Sequence, residues 1–205
     1  MAEYKMTFPL SNEDVEKLRA GDIIYVTGPM VMGRDAVHER GLEFHKEGKP
    51  LPLDLKGLGL FHCGPVVQKN EAGEWVVKAA GPTTSTRMNL FTPEFLEAFD
   101  VKVLVGKGGM DQRTLDALKK FKSVYCAFTG GAGVIAAHGI KDQKMKEVHW
   151  LDLGTPEALW VYEAENFGPL IVAMDVHGRS LYQEVRDQAQ ENIKKIEQEH
   201  GLSLT

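Results

Sequence analysis

Cysteine is scarce: the 205 residues hold two, Cys63 and Cys126. Two thiols make no disulfide framework, which points to a reducing, cytoplasmic setting. With no CxxC pair they also cannot, alone, build a four-thiolate zinc site or an all-cysteine iron–sulfur site. Long apolar runs are missing as well. No stretch approaches the about 18 residues a membrane span needs, and the opening MAEYKMTFPL lacks the apolar core of a signal peptide. Positive charge is not in excess: 24 Lys and Arg stand against 29 Asp and Glu, a formal net charge of −5. That balance argues against nucleic acid held on a broad basic face. Repeats, low-complexity segments and a clear linker are absent too.

What is present reads as a globular protein. A hydrophobic share of 43% and a charged share of 26% exclude disordered, collagen-like and coiled-coil chains. At this length roughly 70% of the unfolded chain's surface can be buried, so a core needs no disulfide or metal. One domain over residues 1–205 is expected, with residues 180–205 as a C-terminal helix and tail.

Residues 11–19 read as a short helix, capped by Ser11 with acidic residues in its first turn. IIYVTG (23–28) reads as a strand, and residues 36–47 as a helix interrupted by Gly41. Residues 59–68 and 74–81 are expected as two strands joined by a turn at 70–73. A helix follows from Thr92, with Thr92 as cap and Pro93 in the first helical position. A buried strand followed by a Gly-rich turn is expected over 101–109, strands at 147–153 and 169–176, and an amphipathic helix over 111–121. Residues 123–140 read as strand, Gly-rich turn and short helix, residues 156–164 as a helical turn leading into strand, and 180–200 as a polar helix. Strands and helices alternate without strict βαβ regularity, so the expected fold is α/β, a mixed sheet with flanking helices.

Four segments place polar residues where packing alone would not. Gly33-Arg34-Asp35 sets an arginine at a strand-to-helix corner, where its planar fork can meet a carboxylate. The plainer alternative is a surface pair between Arg34 and Asp35. Gly81-Pro82-Thr83-Thr84-Ser85-Thr86-Arg87 is a concentrated hydrogen-bonding loop suited to a multi-oxygen anion, or a solvated turn. Gly106-Lys107-Gly108-Gly109 lets backbone approach a ligand beside a point charge, or is a plain turn. Thr129-Gly130-Gly131-Ala132-Gly133-Val134-Ile135-Ala136 matches a GxGxxA pattern with Asp152 about 20 residues on, a weak dinucleotide fingerprint; a tight turn before a short helix fits it better. Arg34, Arg87 and Lys107 each follow a strand, where ligands of α/β sheets bind, which suggests a small di- or polyanion.

The remaining candidates read as structural. His62 beside Cys63 lies in an apolar strand with no other ligand at metal spacing. His38 and His45 are expected on a helix surface. His138 is a weak candidate proton carrier. Trp75, Trp150 and Trp160 are expected in the core or an interface.

Taken in order, GDIIYVTGPMVMGRDAVHER, GLFHCGPVV, GPTTSTRM, VGKGG, TGGAGVIAAHGIK and LGTPEALWVYEAENFGPLIVAMDVHGRSLY resemble segments of the β-subunit, or C-terminal domain, of iron–sulfur hydro-lyases. These are class I fumarate hydratase and L-tartrate dehydratase. The resemblance covers about residues 10–182, and the ordered set GRDxxH, GPTTxxRM and KGG carries it. It implies a swivelling β/β/α domain and reversible addition of water across the double bond of a small dicarboxylate, foremost fumarate to (S)-malate, a tricarboxylic acid cycle step. L-tartrate dehydration is the alternative, and a free-standing anion- or nucleotide-binding module is an alternative of another class.

The resemblance further implies a [4Fe–4S] cluster acting as Lewis acid, held by three cysteines of a partner α-subunit and by nothing in this chain. An α2β2 assembly is implied, with self-association of the isolated chain as a further expectation. The arginine of GRD falls on Arg34, the first threonine of GPTT on Thr83, the arginine of RM on Arg87 and the lysine of KGG on Lys107. By the resemblance, the cations hold the substrate carboxylates and Thr83 serves as base at carbon 3. Asp35 and His38 are supporting positions.

Overall fold

The computed structural model describes residues 1–201. In chain order its strands are β1 (Glu3–Thr7), β2 (Ile23–Met32), β3 (Gly59–Phe61), β4 (Val66–Lys69), β5 (Trp75–Ala79), β6 (Val103–Gly106), β7 (Val124–Ala127), β8 (Ile140–His149) and β9 (Leu159–Met174). The helices are α1 (Asn12–Glu16), α2 (Asp35–Lys46), α3 (Thr92–Phe99), α4 (Gln112–Phe121), α5 (Gly133–His138) and α6 (Leu181–His200).

The β-branched runs assemble into one mixed sheet, in the order β1-β2-β3-β6-β7-β9-β8-β5-β4. The strands β2, β3, β6 and β7 run parallel to one another, with Met32 beside Phe61, Phe61 beside Val105 and Val105 beside Cys126. Their carboxyl ends therefore share one rim. The 16-residue β9 is long enough to pair antiparallel with β2 along both halves, while also meeting β8 and β7. That second pairing of β2 closes β2-β3-β6-β7-β9 into a ring. The expected α/β fold, a mixed sheet with flanking helices, is thus observed.

Side-chain alternation sorts the core into two layers, as a period of two requires. Met30, Met32, Phe61, Val103, Val105 and Cys126 point into the ring, where Trp160, Tyr162 and Phe167 of β9 meet them. Val31, Leu60, Leu104 and Tyr125 point the other way, against Val37 of α2, Phe95 and Leu96 of α3 and Leu115 and Leu118 of α4. Gly41 keeps α2 close to α3, since a Cβ there would stand 3.0 Å from the Phe95 ring.

Several local expectations need correction. The first helix is shorter than 11–19, although Ser11 caps it in a reciprocal box with Asp14. Thr92 is not the cap of α3: it lies inside the helix, and its hydroxyl donates to the Met88 carbonyl at 2.8 Å. The strand expected over 59–68 is broken at Cys63–Pro65 into β3 and β4. The strand expected at 147–153 ends at His149, and β8 starts instead at Ile140. Strand β1, pairing parallel with β2, was not foreseen. The run at 169–176 is the second half of β9 rather than a separate strand. Residues 202–205 of the expected tail lie outside the described residues. Among the described residues no helix is long and apolar enough to cross a membrane.

Candidate active site

Each parallel strand hands its chain to a polar segment at the shared rim. Gly33 and Arg34 follow β2, His62 and Cys63 follow β3, Lys107 follows β6, and the turn at 129–132 closely follows β7. Backbone bonds continue the ladder past the strand ends: Gly33 N–H to the Phe61 carbonyl at 3.1 Å, His62 N–H to Val105 at 2.8 Å, and Phe128 N–H to Gly106 at 2.8 Å.

The hydroxyl loop arrives from the far side of the sheet, after β5, and is stitched into this rim. Thr83 N–H donates to the His62 carbonyl at 2.7 Å. Lys107 N–H donates to Thr83 at 3.3 Å, and Ser85 N–H to Lys107 at 2.9 Å. The loop thus lies between the ends of β3 and β6 as a short extra ribbon. Arg34, Thr83, Arg87 and Lys107, distant in sequence, are carried by segments that meet at one edge of the sheet.

The cations are held differently. Arg34 is half-buried, and its Nε stands 3.2 Å from Glu157 Oε1. The other Glu157 oxygen accepts the Ala36 N–H at 3.3 Å, at the first turn of α2. Gly64 gives this side chain its room: a Cβ there would come within 3.1 Å of Arg34 Cδ and 2.5 Å of the Pro156 carbonyl. Arg87 donates from Nε to Asp35 Oδ1 at 3.1 Å, and its Nη2 lies 2.9 Å from Oδ2. Asp35 therefore takes the side-on edge of that guanidinium, and the surface pair expected between Arg34 and Asp35 does not form. Lys107 has no carboxylate partner among the described residues. Its stem passes Gly130, where a Cβ would lie 3.6 Å from Lys107 Cδ.

Beneath the rim lie two histidines, of which His38 was expected on a helix surface and His62 in the apolar strand. His38 is 1% exposed, not on the helix surface, and its Nδ1 meets the Arg34 carbonyl at 2.8 Å. The reason is the stripe Val37, His38 and Gly41, which turns toward the core. His62 is fully buried, and its Nδ1 lies 2.8 Å from Ser85 Oγ, which also accepts from Tyr125 OH at 3.1 Å. Burial lowers the His38 pKa from 6.5 to about 4 and drives His62 well below its ordinary value, so both rings are neutral near pH 7. The signal that could have found His38 is the GRDxxH spacing, which sets it one helical turn past Arg34.

Other candidates separate from the site. His45 is exposed, with its ring against Phe99, and His138 is exposed beside Gln143. Asp152 pairs with Arg40 at 2.8 Å, and α5 is only six residues long, so no dinucleotide arrangement forms around the Gly-rich turn. Trp160 is buried, with Trp75 edge-to-face upon it, while Trp150 packs on Phe44. A cavity of about 290 Å³ lies beside the rim between α4 and α6. It takes in Thr86, Gly108 and Gly109, but none of the four principal candidates.

This chain's thiols do not suit an iron–sulfur cluster. Cys63 and Cys126 are buried, and burial pushes the Cys63 thiol up to about 12 and Cys126 higher still, away from the thiolate a metal needs. Among the described residues no three His, Cys, Asp or Glu side chains gather as metal ligands.

Fold and rim together define an α/β protein in which the segments bearing two arginines, a lysine and a threonine meet at the carboxyl ends of parallel strands. The chain belongs to the family described as Fumarase C-terminus, whose model matches residues 3–185. It is 45% identical over 179 residues to the L(+)-tartrate dehydratase subunit beta of Escherichia coli K12, covering 87% of this chain and 86% of that one. It is 41% identical over 189 residues to the putative L(+)-tartrate dehydratase subunit beta of Methanocaldococcus jannaschii, covering 91% and 95%. A putative fumarate hydratase class I from Geobacillus stearothermophilus is 36% identical over 190 residues; the match takes in 93% of this chain and 35% of that longer protein.

Proposed function

We propose that this chain is the β-subunit of a two-subunit hydro-lyase that adds water to, or removes it from, a small dicarboxylate. The observation that carries this reading is the convergence of Arg34, Thr83, Arg87 and Lys107 at one rim of the sheet. Reversible hydration of fumarate to (S)-malate, in the cytoplasm, is the reaction we assign first.

A dianionic substrate needs both carboxylates neutralised. Asp35 occupies the Nε–Nη2 edge of Arg87, which leaves the Nη1–Nη2 edge to grip one substrate carboxylate bidentately. Arg34, steadied by Glu157, binds the second. Lys107 supplies a third charge that stabilises the aci-carboxylate developing as the proton leaves carbon 3. Thr83 carries that proton. A threonine hydroxyl is a poor base near neutral pH, so the neighbouring cations must lower its pKa or it must pass the proton onward.

The [4Fe–4S] cluster is assigned to three cysteines of a partner α-subunit, in an α2β2 assembly. The subunit designation of the relatives supports a partner. Isolated, the chain self-associates through the face meant for that partner.

The names and near-full-length coverage of the two tartrate dehydratase relatives favour L-tartrate as a second reading. Anaerobic assay of the chain mixed with its α-subunit, on fumarate, (S)-malate and L-tartrate, decides between them. Turnover of fumarate and malate supports the first reading, turnover of L-tartrate alone the second. A complex that processes none of them contradicts both.

A further inference from the structure

Beneath the rim, two buried ring nitrogens have no partner: Nε2 of His38 and Nε2 of His62. The two rings stand edge to face, with centroids 5.3 Å apart. Their δ nitrogens are already committed, and those commitments fix which nitrogen carries each proton. His38 Nδ1 faces the Arg34 carbonyl, which only accepts, so the proton is on Nδ1 and Nε2 is an acceptor. Ser85 Oγ accepts from Tyr125, and its other side-chain contact is His62 Nδ1, to which we assign its own proton. The His62 proton is then on Nε2, a donor. One orphan donor and one orphan acceptor thus sit on adjacent rings.

We infer that His62 and His38 are positioning residues, joined through their ε nitrogens across one buried water into a single directional hydrogen-bond chain. It runs from Tyr125 through Ser85, His62 and His38 to the Arg34 carbonyl. This chain ties the hydroxyl loop that bears Thr83 and Arg87 to the helix start that bears Arg34. The same His62 also holds Thr83 through its backbone carbonyl. Joining the nitrogens removes two buried unsatisfied groups, each worth about 1–3 kcal/mol. Burial keeps both rings neutral, as this relay of single donors requires. Gly106 seats the chain: a Cβ there would lie 1.9 Å from Ser85 Oγ and 3.2 Å from His62 Nδ1. The catalytic consequence rests on the hydro-lyase reading; the network itself does not.

Long-range 1H–15N correlation spectra of the full chain at pH 7 read the tautomers directly. The expected result is neutral His62 with its proton on Nε2 and neutral His38 with its proton on Nδ1. Any other tautomer, or a charged ring, overturns the network. In the reconstituted enzyme, His62→Phe keeps the ring volume but no hydrogen bond. It is expected to leave the unfolding midpoint within a few degrees and to lower kcat at least tenfold. His62→Asn, which retains an acceptor toward Ser85, is expected to recover part of that loss. Wild-type kcat in His62→Phe overturns the positioning role. If the wild-type complex turns over no dicarboxylate, the hydro-lyase reading fails, while the spectra still decide the network.

Discussion

Asp35 grips Arg87 across 52 residues of sequence, accepting from Nε at 3.1 Å and facing Nη2 at 2.9 Å. The aspartate that follows Arg34 thus aims the second arginine of the rim. The pair is partly exposed, with Arg87 53% and Asp35 28% accessible, so its worth to folding is at most about 1 kcal/mol. Its worth lies in orientation. Asp35→Asn is expected to raise KM for the dicarboxylate roughly tenfold, about 1.4 kcal/mol, with little change in thermal midpoint. Steady-state kinetics and a melting curve on the same preparation check this.

Gly106 has no room for a side chain. A methyl group there would stand 1.9 Å from Ser85 Oγ. Gly106→Ala must push the Ser85 segment off the ends of β3 and β6, at about 1–3 kcal/mol for overpacking. A lower urea midpoint together with lost activity is the expected result.

The buried histidines make stability depend on pH. The His38 pKa falls on folding from 6.5 to about 4, because burial disfavours the charged ring, with weaker opposition from the Arg34 carbonyl and Asp35. The unfolded chain therefore binds more protons between these values, and stability rises with pH across the window. It is fully present above about pH 6.5 and is lost progressively as pH falls toward 4. His62 shifts in the same direction. The His38 contribution is roughly 3 kcal/mol. Urea unfolding at pH 7.5 and pH 5 captures about 2 kcal/mol of it, since pH 5 still lies above the folded-state value, and His38→Gln is expected to flatten the slope.

Both thiols should be silent in the folded protein. Cys63 and Cys126 are 0% exposed, and burial raises both pKa values. A disulfide-exchange reagent at pH 8 is expected to label neither until denaturant is added, after which both react.

Strong periodic runs were legible in the sequence. The β-branched cores of β2, β6 and β7 and the amphipathic α4 needed only local pattern. The strands that escaped are those whose residues look polar. EYKMT of β1 alternates between exposed and half-buried at the sheet edge, and IKDQKMK of β8 faces solvent at most positions. Their pairing is set by the neighbouring strand, which local pattern does not report. The three rim cations stood out because they sit beside glycine and hydroxyl types in loops after strands, whereas Thr83 was singled out from its hydroxyl run only by the family resemblance. The carboxylate partners of the arginines did not stand out: Glu157 reaches Arg34 from a turn before β9, and Asp35 turns to Arg87 rather than to its neighbour. His38 looked like a surface residue because Glu39 and Arg40 follow it, and His62 like ordinary strand filling. Only the closed sheet and the α2 packing bring the two rings together.

On the proposed reading, this rim supplies a hydro-lyase with its substrate cations and its threonine. The most direct measurement is anaerobic turnover by the chain reconstituted with its cluster-bearing α-subunit, wild type against Thr83→Val and Arg87→Ala, each confirmed folded. A drop of at least a hundredfold in kcat/KM is expected for each variant, about 2.7 kcal/mol of lost transition-state stabilisation, with no turnover by the iron-free chain alone. Wild-type rates in both variants, or substantial activity from the lone chain, would contradict that reading.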